Sequence, residues 1–312
     1  MFNLLLRPLA PSDLPWPLAN LQPWMQANKM PMMLLHVNVI LTGWAACLII
    51  SYLAYHLAPR LFPGAFARGK PNMRLNFCHQ AVSLVHAVVS CVLSVWNMVF
   101  TDMPVDKLYG YSTPLGVQCA LTVGYFLWDI FSTAANIDYY GPAFMLHAVI
   151  GFLPLLIALS PVMIGYVAWF MLFEVSSVFL HCHWFLDKLG GSKRLILVND
   201  VLLLVTFFSF RILFGWYVII TAIRQMAAYR GAMNPFFFPV ICFALAASLS
   251  LNHFWFYRLF RATLRHMGLS EHRHHHKNHH HKRERTVSER DLDFLPGEDR
   301  KRRVSKRIAK QE

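Results

Sequence analysis

Eight polar side chains stand out because they lie inside long apolar runs: His86, Asp129, His147, Glu174, His181, Asn199, Arg211 and Asn252. An ionisable group in a bilayer is costly, so each needs a partner or a task. Histidines and carboxylates together can move protons, which is general acid–base chemistry. His147, Asp129 and Glu174 are the three that such catalysis would use, and His147 is its strongest candidate. His86, His181, Asn199, Arg211 and Asn252 would line a binding cavity around them. A plainer reading covers the same residues. Glu174 and Arg211 can form a buried ion pair that fixes helix order, and His86 and Asp129 can pair between neighbouring spans.

For these residues to meet, membrane helices must carry them. Of the 312 residues, 56% are hydrophobic and 14% charged, against about 25% charged in a soluble domain. The composition excludes overall disorder and argues against a soluble globule. No short alternating segments suggest a β-barrel. The expected fold is all-α, a multi-pass transmembrane bundle of about seven spans. The candidate spans are Met33–Leu57, Phe77–Phe100, Pro114–Ala135, Ala143–Ser160, Pro161–Phe185, Leu195–Ala222 and Pro235–Phe260. The fourth and fifth are separated only by Ser160 and Pro161, which predicts a tight hairpin. No internal repeat or pair of broken helices marks a transporter.

Three regions follow: a proline-rich segment over 1–32, the transmembrane domain over 33–260, and a basic, histidine-rich tail over 261–312. Trp16 and Trp24 suit a membrane interface. No signal peptide with a cleavage site is evident, so the first span is expected to act as the anchor. From Arg258 onward the chain carries net charge +8 of its total +13, and eight of its sixteen histidines. This tail is expected to be disordered, and its nearest polyanion is an anionic leaflet, not nucleic acid. Its histidine run fixes no metal geometry, so no metal is expected. The cysteines Cys47, Cys78, Cys91, Cys119, Cys182 and Cys242 have no CxxC spacing and read as small buried hydrophobes.

Orientation follows the Lys and Arg residues of the loops. Arg60, Arg68, Lys70, Arg74, Lys188, Lys193 and Arg194 share a side with the tail. Arg7, Lys29, Lys107, Arg224 and Arg230 lie opposite. This predicts a lumenal N-terminus and a cytosolic C-terminus. The polar residues then fall at mid-membrane to cytosolic depth and face a common cavity open to the cytosol.

Over residues 76–261 the sequence resembles the TLC domain family. Six segments carry the resemblance: Ser83 to Ala87 with His86, Gly124 to Asp129, Phe144 to His147, Phe173 to Ser177 with Glu174, Asn199 with Phe210 and Arg211, and Asn252 to Trp255. The pattern looks closer to TLC-domain-containing proteins than to ceramide synthases. The resemblance implies an endoplasmic-reticulum or related endomembrane protein that binds membrane lipid and serves lipid homeostasis. Its alternative implication is an N-acyltransferase that uses acyl-CoA as co-substrate, with His147 as base or acyl acceptor and a sphingolipid product. Ceramide synthases carry a His-His pair where this chain has His147 followed by Ala148, and their downstream Asp-rich stretch is absent. No other cofactor is implied, and a homodimer is an open expectation.

Overall fold

A computed structural model describes residues 6–28, 32–67, 72–160 and 162–266. Lys29, Arg68, Lys70, Pro161 and the histidine-rich tail lie outside the described residues. Seven long helices form the body, and no strand is present among the described residues. They are α1 (Val37–Leu61), α2 (Met73–Phe100), α3 (Thr113–Ala135), α4 (Pro142–Ala158), α5 (Ile164–Leu189), α6 (Lys193–Ala228) and α7 (Phe237–His266). Six are long and apolar enough to cross a membrane, and α4 is a shorter apolar helix of 17 residues.

Proline and glycine set the boundaries. Pro114 and Pro142 stand in the first turns of α3 and α4, where a missing N–H costs nothing. Gly190, at φ 84°, ends α5. Two residues later Ser192 caps α6, its hydroxyl accepting from the Leu195 N–H at 3.2 Å.

The connections alternate between two ends of the bundle, so α4 crosses it in full despite its length. At one end the Met163 N–H donates to Leu108 O at 2.6 Å. There too, Gln225 Nε2 donates to Asp106 Oδ1 at 3.1 Å and Asn38 Nδ2 to Arg7 O at 2.8 Å. Residues 6–28 belong to this end, tied by the Leu9 N–H to Leu35 O at 2.7 Å. At the other end Asn76 bonds Tyr139, and Phe77 packs on Phe66, Trp184 and Phe185. Seven crossings therefore separate the N-terminal segment from the end of α7.

Many large apolar residues point outward, including Leu48, Ile49 and Tyr52 on α1 and Val92, Val95, Trp96 and Val99 on α2. In water such a surface would aggregate; in lipid it is the ordinary outer face. Inside, Val82, Val123, Phe126, Leu155, Val167 and Met171 form the largest core. The closest helix contact is α1 on α3. A Cβ added at Gly124 would lie 2.4 Å from Ile40 O and 2.8 Å from Trp44 N, and one added at Gly43 would lie 2.8 Å from Leu121 O. Only glycine lets these two backbones touch.

The α2–α3 seam is polar along its length. Asn97 Nδ2 donates to Gln118 Oε1 at 2.7 Å, and Gln118 Nε2 donates to Ser94 Oγ at 2.7 Å. Deeper, the Tyr125 hydroxyl donates to Ser83 Oγ at 3.1 Å. His79 Nε2 then meets Asp129 Oδ1 at 3.0 Å. With hydrocarbon outside, satisfied pairs of this kind are what hold two helices in register.

Candidate functional site

Arg211 organises the centre of the bundle. It lies in Phe207–Leu213, which winds as a π-helix inside the long α6. Such turns insert an extra residue and concentrate at functional sites. The matching element is α5, whose helix is interrupted at Leu172 and Phe173. Beside that break the Phe173 carbonyl accepts from Arg211 Nε at 3.1 Å, and Ser176 Oγ accepts from the same nitrogen at 2.8 Å. Nη2 donates to Ser177 Oγ at 2.8 Å and to Glu174 Oε1 at 3.3 Å. Nη1 donates to Asn252 Oδ1 of α7 at 3.3 Å. One buried guanidinium thus ties α5, α6 and α7 together, with Glu174 as its counter-charge.

Against this cluster lies a cavity of about 800 Å³, mouth included. Its polar lining is His147, Glu174, Arg211 and Ser248; the walls are mostly apolar, among them Phe126, Phe170, Ala158, Met163, Ile241 and Ala244. Mainly apolar walls with a few polar groups are the lining that small-ligand sites use. His147 stands at the edge of the floor, its ring 5.3 Å from that of Trp255 and 6.0 Å from that of Phe126. Neither ring nitrogen has a hydrogen-bond partner among the described residues.

From the floor the cavity's lining runs toward Met163 and Ile241, the end that holds the N-terminal segment, and not toward the end where α7 finishes. The physical reason is side-chain size. Small residues (Gly151, Ala158 and Ala244) leave space on that side, while Phe144, His147 and Trp255 pack their rings together on the other.

The structure brings His147, Glu174 and Arg211 into one lining and sets Asn252 on Arg211. The other four lie elsewhere. His86 stacks on Tyr125 at 3.7 Å between centroids, with Ser90 Oγ 3.3 Å from its Nε2. Asp129 pairs with His79 instead of His86, and also accepts from the Thr133 hydroxyl at 3.3 Å. His181 Nδ1 meets Gln80 Oε1 at 2.6 Å, and Asn199 Nδ2 donates to Phe179 O at 2.9 Å. Sequence reasoning missed His79, and it missed the buried pair of His183 with Asp200 that joins α5 to α6. The signal for His79 was present: polar residues recur along α2 at 76, 79, 80, 83, 86, 90, 94 and 97, a three-and-four spacing that marks one helix face. Beyond the spans, the Tyr140 hydroxyl is buried with no hydrogen-bond partner among the described residues, and burial pushes its pKa well above the usual phenol value.

All six cysteines are free. Among the described residues, no group of three His, Cys, Asp or Glu side chains is placed to hold a metal ion.

Comparison with known proteins bears on the whole bundle. Residues 76–261 match the TLC domain (TRAM/LAG1/CLN8), a stretch from the start of α2 into the last turns of α7. An uncharacterized TLC domain-containing protein of Schizosaccharomyces pombe is 32% identical over 219 residues, covering 70% of this chain and 74% of its own. Topoisomerase I damage affected protein 4 of Saccharomyces cerevisiae is 28% identical over 198 residues, covering 61% of this chain and 70% of its own. TLC domain-containing protein 4-B of Danio rerio is 25% identical over 156 residues, covering 48% and 59%. No solved structure gives a significant match. With the family match covering more than half of its length, this multi-pass helical protein belongs to the TLC domain family.

Proposed function

We propose that this protein holds a membrane lipid in the cavity above Arg211 and Glu174, and through it acts in lipid homeostasis of the endoplasmic reticulum or a related endomembrane. The observation that carries the reading is the cavity itself: apolar walls, polar groups gathered at the floor, and a bundle whose outer face is already suited to lipid. We further propose a lumenal N-terminus and a cytosolic C-terminus. In support, Arg60, Arg74, Lys188, Lys193 and Arg194 all belong to the end of the bundle where α7 finishes. An N-glycosylation acceptor introduced into the 6–28 segment is expected to be modified in microsomes. Modification of an acceptor placed after the last span instead would reverse the orientation.

A second reading, acyl transfer with His147 as base or acyl acceptor, is favoured by one observation: His147 lines the cavity with both ring nitrogens unpaired among the described residues. Acyl-CoA would be the co-substrate and a sphingolipid the expected product class. Lipidomics on cells lacking the protein separates the two readings. They are rescued at equal expression with wild type, His147→Ala or Ala244→Trp. A binding protein predicts that His147→Ala retains most of the rescue while Ala244→Trp, which fills the cavity, retains little. Complete loss in His147→Ala, with normal folding, establishes the enzyme instead.

A further inference from the structure

The floor of the cavity contains one positive and one negative charge, and each answers the other. Arg211 is buried, its Nη2 lies 3.3 Å from Glu174 Oε1, and its remaining bonds go to Phe173 O, Ser176, Ser177 and Asn252. The guanidinium is therefore not available as a counter-ion for an incoming anion. His147 has no ion-pair partner among the described residues. The hydrogen-bonding capacity that remains is of the uncharged kind. The two ring nitrogens of His147 are unpaired among the described residues, and outside the lining Asn252, buried on Arg211, has an Nδ2 with no acceptor among the described residues. A buried amide without a partner is uncommon enough to need an explanation.

A carboxylate, sulfate or phosphate brought here would be a buried charge without a counter-charge, which is strongly disfavoured. A hydroxyl or ester carbonyl would not carry that penalty, and could hydrogen-bond where the floor has unused donors and acceptors. The walls then accept a long apolar tail along Ile150, Pro154 and Ala158 toward Met163 and Ile241.

We infer that the cavity selects an uncharged, oxygen-headed lipid, with its hydroxyl or ester carbonyl at His147 and its tail directed to the N-terminal end of the bundle. The inference rests on the reading of the cavity as a lipid site.

The test uses the full-length protein in nanodiscs and four probes carrying a photoreactive diazirine near the tail end. They are a long-chain alcohol, a monoacylglycerol, a long-chain alkyl sulfate whose charge does not titrate, and a phosphatidylcholine. Labelled peptides are mapped by mass spectrometry. The expected result is labelling at Ala158, Met163 or Ile241 by the alcohol or the monoacylglycerol, about tenfold above the sulfate, which is one factor of ten in affinity. Whichever of the two labels more strongly identifies the head as hydroxyl or ester. Equal or stronger labelling of these residues by the sulfate or phosphatidylcholine overturns the neutral-head selection while leaving the cavity as a lipid site. Absence of labelling by all four overturns both. Glu174→Gln, which leaves Arg211 uncompensated, is expected to shift the preference toward the sulfate, and an unchanged preference in folded Glu174→Gln counts against the inference. Should that variant fail to fold, the wild-type comparison decides.

Discussion

Arg211→Leu is expected to lower stability by about 3–5 kcal/mol, because it strands the Glu174 carboxylate in the bundle interior. The change also removes the donor that bridges α5, α6 and α7, leaving Ser176, Ser177, Asn252 and the Phe173 carbonyl to find other partners. At roughly 2–4 °C per kcal/mol for a chain of this size, the midpoint of heat-induced loss of the monodisperse peak in detergent should fall by about 10 °C. The double variant Arg211→Leu with Glu174→Leu should recover much of that loss, since replacing both partners by apolar groups leaves no buried charge. If the single variant matches wild type, the ion pair is not what joins the three helices.

Gly124→Leu is expected to prevent accumulation of folded protein. The obstruction is backbone, not a flexible side chain: even the first carbon of any larger residue falls 2.4 Å from Ile40 O. Gly124→Ala forces α1 away from α3 and should cost about 1–3 kcal/mol, the usual range for overpacking. Gly231→Ala is the control, because nothing lies within 4 Å of its added carbon. Size-exclusion profiles and thermal midpoints of the three variants distinguish a tight crossing from a permissive one. A normal profile for Gly124→Leu refutes it.

Span positions are readable from sequence because length and hydropathy are local. Even the Ser160–Pro161 punctuation correctly separates α4 from α5, although α4 has only 17 residues. The Glu174–Arg211 pair and the cavity appear in sequence as competing explanations; in the structure the pair forms part of the cavity's polar floor. The partner of Asp129 is different in kind. His79 and His86 lie seven residues apart on α2, so they share a face, and only the axial register of α2 against α3 selects between them. No local pattern reports that register. Nor does the stretch Phe207 to Leu213 announce an extra residue in its turn, yet that insertion lies at the segment that carries Arg211.

Helix α7 begins beside the cavity, holds Arg211 through Asn252 halfway along, and ends across the bilayer where the basic C-terminal residues begin. Its 30 residues make a rod about 45 Å long. The last turn of α7 and the cavity thus lie toward opposite ends of the bundle but share one lever. A tilt of α7 would change the width of the cavity between Ile241 and Ala158, giving the far end of the bundle a mechanical handle on the site.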